Sequence, residues 1–446
     1  MSALVGLGRR TVTGMLSASA QQFDDWSAAY RIFQRERFDR DALFAPARLA
    51  VVNCLGKKDP LVAVMDDTLI RKHGKKVYGT GWKRDPLGPK FHPNFVWGQR
   101  FLQLSAVLPE KPGISRARGI PIDFTHAPSP RKPSKKSSPQ EWEEYRRLQK
   151  TMKASAVGLA RVRQLRSQLD ADPQEKDRPL LVAVDGGFTN RTVFRDLPHD
   201  TAAIGRIRKD ARIFLPPDGS DAPRRGRPRW FGEALPTPEQ IRQDSSVEWI
   251  TVAAYGSGQV HHFQVKTLSP IRWLGSGHRD VRLVIISPLA YRPRKGARLL
   301  YRNPAYLICT DPELSLEQIL QAYLWRWEIE LNFRDEKTLL GVGEAQVRTE
   351  IAVESVPTLI VAAYAFLLLA GTEAKGSQPA LPPPKWRKSL AGERDSTPRL
   401  IGLLRSQLWG KAMNVNLNHF VKNTEGKTKP TLLADALPSA VCYAFR

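Results

Sequence analysis

The chain has 446 residues, more than one ordinary core takes up, so two to four domains are expected. Its 69 Lys and Arg against 44 Asp and Glu leave a formal net charge of +25, and 41% hydrophobic residues supply a globular interior. Such a surplus favours a polyanionic partner, because each neutralised phosphate releases a counterion. Three scattered cysteines, Cys54, Cys309 and Cys442, without CxxC spacing, argue against a disulfide framework and a structural zinc site.

Residues 20–55 read as helices. Trp26, Tyr30 and Phe33 form one apolar stripe, interleaved with Arg31, Arg35, Arg37 and Arg40. That pattern suits a small helical region on DNA or a solvated helix packed on the next domain. Met1 to Ala20 lacks the apolar core of a signal peptide. Leu61–Met65 (LVAVM) is a short apolar strand ending in Asp66 and Asp67. Further strands are predicted at Phe95–Leu108 and Gly119–Phe124. Ala127–Gln140, rich in Pro, Ser and Lys, reads as an exposed loop. A long helix is expected over 141–169, then a continuous apolar strand, Leu180–Val184 (LLVAV), ending in Asp185 and Gly186.

The order is strand, strand, strand, helix, strand, an α/β pattern with an acid after the first and fourth strands. Continuous apolar runs imply strands covered on both faces. An acid at such a strand end sits where open α/β sheets place ligands. Strand-like runs at 249–254, 261–266 and 281–286 suggest a β-rich insertion, and 299–310 returns to the sheet. A helix is expected over 316–340. The most apolar run, 359–370, falls short of the roughly 20 residues that span a bilayer and reads as a buried core helix. The last 60 or so residues form a small helical tail. A soluble, cytoplasmic protein with no membrane partner is expected.

Tyr323, Arg326, Glu330 and Lys337 are offset by 3, 7 and 14 residues. At about 100° per residue they share one helical face. An ion-paired surface would explain Arg326 and Glu330, at i and i+4. The strand-terminal acids upstream favour chemistry instead. Three converging carboxylates raise one another's pKa, and a divalent cation with oxygen ligands relieves that strain.

The stretch Tyr323–Lys337 (YLWRWEIELNFRDEK) carries the Y-x-x-R-x-x-x-E-x-x-x-x-x-x-K signature, and with DDT at Asp66–Thr68 and DGG at Asp185–Gly187 the chain resembles bacterial insertion-sequence DDE transposases over about residues 60–370. The resemblance implies an RNase H-like (retroviral-integrase-like) α/β catalytic core interrupted by a β-rich insertion. It divides the chain into a helical DNA-binding region (1–58), the first part of the core (59–204), the insertion (205–300), the second part with the signature helix (301–372) and a helical C-terminal region (373–446). It implies that Asp66, Asp185 and Glu330 bind two Mg²⁺ ions, for which Mn²⁺ can substitute. Asp67 is the alternative to Asp66, which fits the family's Asp-x-Thr pattern. Tyr323, Arg326 and Lys337 resemble residues that contact transposon-end phosphates. Trp327 stands where some relatives stack a tryptophan on a flipped base, though core packing explains it as well. Arg224, Arg225, Arg227 and Arg229 crowd a Pro/Gly loop that suits phosphate contact, or a minor-groove hook. The expected partner is double-stranded DNA, with a homodimer in the synaptic complex. A nuclease without strand transfer and a non-catalytic DNA-binding descendant are the rival readings.

Overall fold

The computed structural model describes residues 1–85, 88–89, 91–217, 229–294, 296–374, 381–384, 394–410 and 436–445. Short helices α1 (Ser2–Val5), α2 (Val12–Ala18), α3 (Trp26–Gln34) and α4 (Ala45–Asn53) precede the first strands. These are β1 (Leu61–Arg71), β2 (Gly81–Arg84), β3 (Phe95–Pro109) and β4 (Ala117–His126). Helices α5 (Pro139–Thr151) and α6 (Ala154–Asp170) lead to β5 (Leu180–Val184), α7 (Arg191–Arg195), β6 (Thr201–Arg206) and β7 (Ile213–Phe214). Then come α8 (Pro238–Gln243), β8 (Ile250–Gly256), β9 (Gln259–Trp273), β10 (Asp280–Ile286), β11 (Ala290–Tyr291), β12 (Leu300–Tyr301) and β13 (Ala305–Cys309). The remaining helices are α9 (Leu316–Trp325), α10 (Trp327–Thr338), α11 (Glu350–Glu373), α12 (Thr397–Trp409) and α13 (Ala436–Tyr443).

One mixed sheet organises the described residues, in the order β2-β3-β1-β5-β6-β13-β10-β9-β7, with β4 on β3 and β8 on β9. β1, β5 and β6 run parallel, and β3 is antiparallel to β1. Residues 205–300, expected as an insertion, do carry strands, and most of these extend the same sheet through β10 and β13. Side chains alternate across the central strands. Val62, Val64, Leu181 and Ala183 pack with Ile319, Leu320, Ile329 and Phe333 of α9 and α10. Leu61, Ala63, Met65, Val182 and Val184 belong to the larger cluster with Leu159, Val162 and Leu165 of α6. Both faces are thus covered, as the continuous apolar runs imply.

Four expectations need correction. β1 does not stop at Met65 but continues through both acids to Arg71, because its antiparallel ladder with β3 persists there. The single helix over 141–169 is two helices, each with its own start; Ser138 makes a capping box with Glu141 at the first. The single helix over 316–340 is pinched at Arg326, where three-residue hydrogen bonds replace the four-residue pattern (Arg326 N–H to the Tyr323 carbonyl, 3.2 Å; Ile329 N–H to the Arg326 carbonyl, 3.3 Å). The apolar helix α11 has 24 residues, long and apolar enough to cross a membrane by length and composition. It packs across β4 and against α3, α4 and α12, with 72% of its most apolar window buried.

The two ends of the described chain meet. Arg405, fully buried, donates to the carbonyls of Val5 (3.0 Å), Gly6 (2.9 Å), Val441 (3.1 Å) and Ala444 (3.2 Å). Arg10 similarly donates its backbone N–H to Glu344 at 2.7 Å and its guanidinium to the Leu339 carbonyl at 3.2 Å.

The seating of α10 on the sheet depends on Ile329, which is fully buried against the β1–β5 side chains. Ile329→Ala should lower unfolding stability by about 2–5 kcal/mol through lost burial and a residual cavity. A urea titration measures it, and a loss below about 1 kcal/mol would mean the helix is not held there.

Candidate active site

The parallel ladder of β1 and β5 ends with Met65 opposite Val184. The next residue on each strand is an acid, so Asp66 and Asp185 emerge side by side, on the face of Val64 and Ala183. That face carries α10 and hence Glu330. Asp185 sits in a turn that fixes its carboxylate: Gly187 N–H (2.9 Å) and Phe188 N–H (3.2 Å) both donate to Oδ1. The Ser315 capping box with Gln318 sets the start of α9 and so the phase of the helices bearing Arg326 and Glu330.

Asp66, Asp67, Asp185, Glu330 and Lys337 all line one cleft of about 1130 Å³. Burial, then the neighbouring Asp185 charge, pushes the Asp66 carboxyl up to about 7, while the Asp67 backbone N–H (2.8 Å) and Arg326 oppose the rise. Arg326 bridges two of the acids, 3.5 Å from Asp66 Oδ2 and 3.0 Å from Glu330 Oε1. Its guanidinium also lies 5.9 Å from the Tyr323 ring centroid. Burial raises the pKa of the Tyr323 hydroxyl and Arg326 lowers it.

Asp67, on the opposite face of β1, pairs instead with Arg100 of β3 at 2.9 Å. Burial pushes its carboxyl up and Arg100 pulls it down. The two adjacent acids are therefore not equivalent: one joins Asp185 and Arg326, the other has its own arginine.

The basic candidates disperse. Lys337 opens into the cleft. Trp327 is 57% exposed and lines a different cavity, of about 720 Å³, beside Arg116, Arg302 and Tyr255; it is not core packing. Arg229 is exposed and does not line the cleft. Arg224, Arg225 and Arg227 lie outside the described residues.

Among the described residues, no group of three or more His, Cys, Asp or Glu side chains is gathered tightly enough to hold a metal ion. Arg326 stands between Asp66 and Glu330 and supplies the positive charge there. The donor set nonetheless fits a hard divalent cation: acidic oxygens only, one of them driven toward protonation by burial and a like charge. A cation held by Asp66, Asp185 and Glu330 would take over the role Arg326 plays between the first and last of them.

Sequence reasoning missed the residues of β3 that surround this centre. Arg100 holds Asp67, and Gln103 pairs directly across from Asp66. Gln103 donates to Ser105 Oγ at 3.0 Å, and Ser105 donates to Asn332 of α10 at 3.0 Å. The β1–β3 register was the missing information.

The α/β sheet thus brings two acids from adjacent parallel strands into one cleft with a third acid from a helix. A family model described as DDE superfamily endonuclease matches residues 1–279. The chain belongs to that family. Membership implies an RNase H-like α/β fold, with which the mixed sheet agrees, and a transposase-like nuclease acting on DNA. Enzymes of this kind generally use divalent metals. The match includes Asp66 and Asp185 and ends before the helix of Glu330. A comparison with curated proteins finds no match.

Glu336 gives a test of the packing behind the site. It is fully buried on α10, and burial pushes its carboxyl up to about 8, with the Lys337 charge opposing. Neither of its oxygens nor Gln103 Oε1 has a hydrogen-bond partner among the described residues. The folded protein therefore holds this proton longer than the unfolded chain. Its stabilising effect is complete below about 4.5 and is lost as pH rises through about 8. Glu336→Gln should flatten that slope and stabilise the fold by about 1–3 kcal/mol above the folded pKa. Urea titrations across the range check this; an unchanged slope would show that Glu336 is already ionised.

Proposed function

We propose that the protein is a DNA transposase that cuts at transposon ends with water as nucleophile and then joins the freed 3′-hydroxyl to target DNA. The observation that carries this reading is the adjacency of Asp66 and Asp185 across the β1–β5 ladder, in one cleft with Glu330. The companions Tyr323, Arg326 and Lys337, spaced as in the insertion-sequence signature, favour strand transfer over cleavage alone.

Asp66, Asp185 and Glu330 would hold the metal, two Mg²⁺ ions on this reading, with Mn²⁺ as a substitute. Such ions supply charge stabilisation to the attacking and leaving oxygens of an in-line displacement. The chain's own side chains do the rest. Lys337 places a point charge at the cleft. Arg326 has the planar fork suited to bidentate phosphate contact, and on this reading it exchanges its carboxylates for a phosphate when DNA and metal arrive. Trp327, with its ring exposed on the same helix, is free to stack on a base. Synapsis of two ends calls for at least a homodimer.

Asp185→Ala and Glu330→Ala should each reduce Mg²⁺-dependent cleavage of a plasmid bearing the element's ends by at least about 10²-fold. End binding should stay within about threefold, because neither change removes a phosphate contact. Normal cleavage by either variant rejects the assignment. Asp66→Asn should behave like them, whereas Asp67→Asn should retain more activity. Joined products from the wild type support transposition, and cleavage without joining supports a nuclease.

Arg326→Ala should weaken DNA binding and reduce the slope of log affinity against log salt by about one phosphate's worth. Loss of folding stability with an unchanged slope would reduce Arg326 to a partner of Asp66 and Glu330.

A further inference from the structure

Beyond Asp67 and Arg100, β1 and β3 run out of the core and end in a ribbon that the proposed chemistry does not use. β2 pairs with the start of β3: Trp82 opposite Trp97, Lys83 opposite Val96 and Arg84 opposite Phe95. Alternation puts Trp82, Arg84, Phe95 and Trp97 on one face. Trp82 is 68% exposed and Phe95 57%, and the preceding loop adds Phe91 at 91%. The Trp82 and Trp97 rings meet edge to face, centroids 5.6 Å apart. Large aromatic rings displayed this openly on an edge ribbon call for a partner.

Charge selects the partner. Residues 71–100 hold eight Lys or Arg and one acid, Asp85. That acid is buried and paired with Arg71 at 2.9 Å. A second copy of a +25 chain would bring like charge to this surface, whereas a polyanion complements it. The backbone of a duplex would meet the lysines and arginines but would leave the flat ring faces uncovered. Unpaired bases satisfy both features, since their faces stack on aromatic rings while their phosphates meet the cations.

The ribbon is also held in place. Lys72 Nζ donates to the Gly343 carbonyl at 2.6 Å, Tyr78 N–H to the Arg348 carbonyl at 3.0 Å, and Gln99 to the Tyr78 carbonyl at 2.7 Å. It joins the catalytic cleft directly: Arg71, Lys72, Arg84 and Val96 line that cleft. From Gln103, opposite Asp66, to Phe95 is eight residues, roughly 26 Å of strand at about 3.3 Å per residue. We propose that the β2–β3 ribbon is a base-stacking platform, with Trp82 and Phe95 at its centre, for a single-stranded stretch of DNA beside the cut. This rests on the reading of the protein as a DNA-processing enzyme.

The test uses the full chain without divalent metal, a mixed-sequence 20-nucleotide single strand, and the blunt duplex of the same sequence. Trp82→Ala with Phe95→Ala should weaken single-strand binding by about tenfold or more, and duplex binding by less than about twofold. Trp82→Phe with Phe95→Tyr keeps both stacking faces and should restore single-strand binding. Both pairs are exposed, and circular dichroism with thermal melting confirms that the variants fold. Equal losses on both probes would make the ribbon a phosphate surface and overturn the proposal. Unchanged binding to both would also overturn it, and reduced self-association in sedimentation would then assign the rings to a second copy. Binding of neither probe by the wild type would instead remove the DNA reading itself. Mg²⁺-dependent cleavage by variants that bind normally would sink the platform alone.

Discussion

Two like charges forced side by side govern this structure. The parallel ladder of β1 and β5 ends at Met65 and Val184, so Asp66 and Asp185 share one exit from the sheet. The strand residues just before them are buried, and both acids open into the same cleft. The cost of that arrangement appears in the raised Asp66 carboxyl, and much of the surrounding structure compensates for it. Backbone N–H groups hold Asp185, Arg326 reaches between Asp66 and Glu330, and Arg100 keeps Asp67 from adding a third unpaired charge. A core selected only for stability would place hydrophobic residues here. In this structure Arg326 supplies the positive charge that the acids call for.

The pinch at Arg326 belongs to the same balance. Arg326 keeps the usual i,i+4 relation to Glu330 across the pinch and also reaches Asp66 on β1. The tightened turn keeps Arg326 helical, with φ −52° and ψ −29°, and its two terminal nitrogens address different elements. A side chain placed this way connects the helix to the strand, so a shift of either one is felt by the other.

Much of the core was legible because burial leaves a strong signature. LVAVM and LLVAV read as covered strands, short and rich in β-branched residues, and the acids that follow them mark where the covering ends. The insertion-sequence signature singled out Glu330, and helical periodicity put it on one face with Arg326, a relation that tolerates a local pinch. The rest depended on information that a linear pattern does not carry. β6, with its Thr-Ala-Ala-Ile-Gly-Arg sequence, lacks the bulky residues that mark strands; it is a strand because β5 and β13 flank it. The extension of β1 through Asp66-Asp67-Thr68 looked polar and therefore terminal. Its ladder with β3 is set by Ile70 and Phe101, both buried. The separate roles of Asp66 and Asp67 follow from strand alternation, which a sequence shows only once the strand is known to continue. β2, four residues beginning with Gly, gives almost no signal of its own; the spaced Trp97 and Phe95 opposite it were the available hint.

The Arg405 clamp has a bearing on the order in which the protein assembles. Its donors close on carbonyls about 400 positions earlier in the chain. At a synthesis rate of about 5–20 residues per second, those carbonyls wait roughly 20–80 s for their partner. During that interval Arg10 can already hold α1 through the Ala3 carbonyl at 2.8 Å, but the Val5 and Gly6 carbonyls lack their Arg405 donor, and the apolar face of α11 toward α12 is bare. The sheet around β1, β3 and β5 can already have formed by then, since its strands lie in the first half of the chain. Birth on the ribosome therefore separates two events: the strands that carry Asp66 and Asp185 can come together early, and the two ends of the described chain are joined by one late arginine.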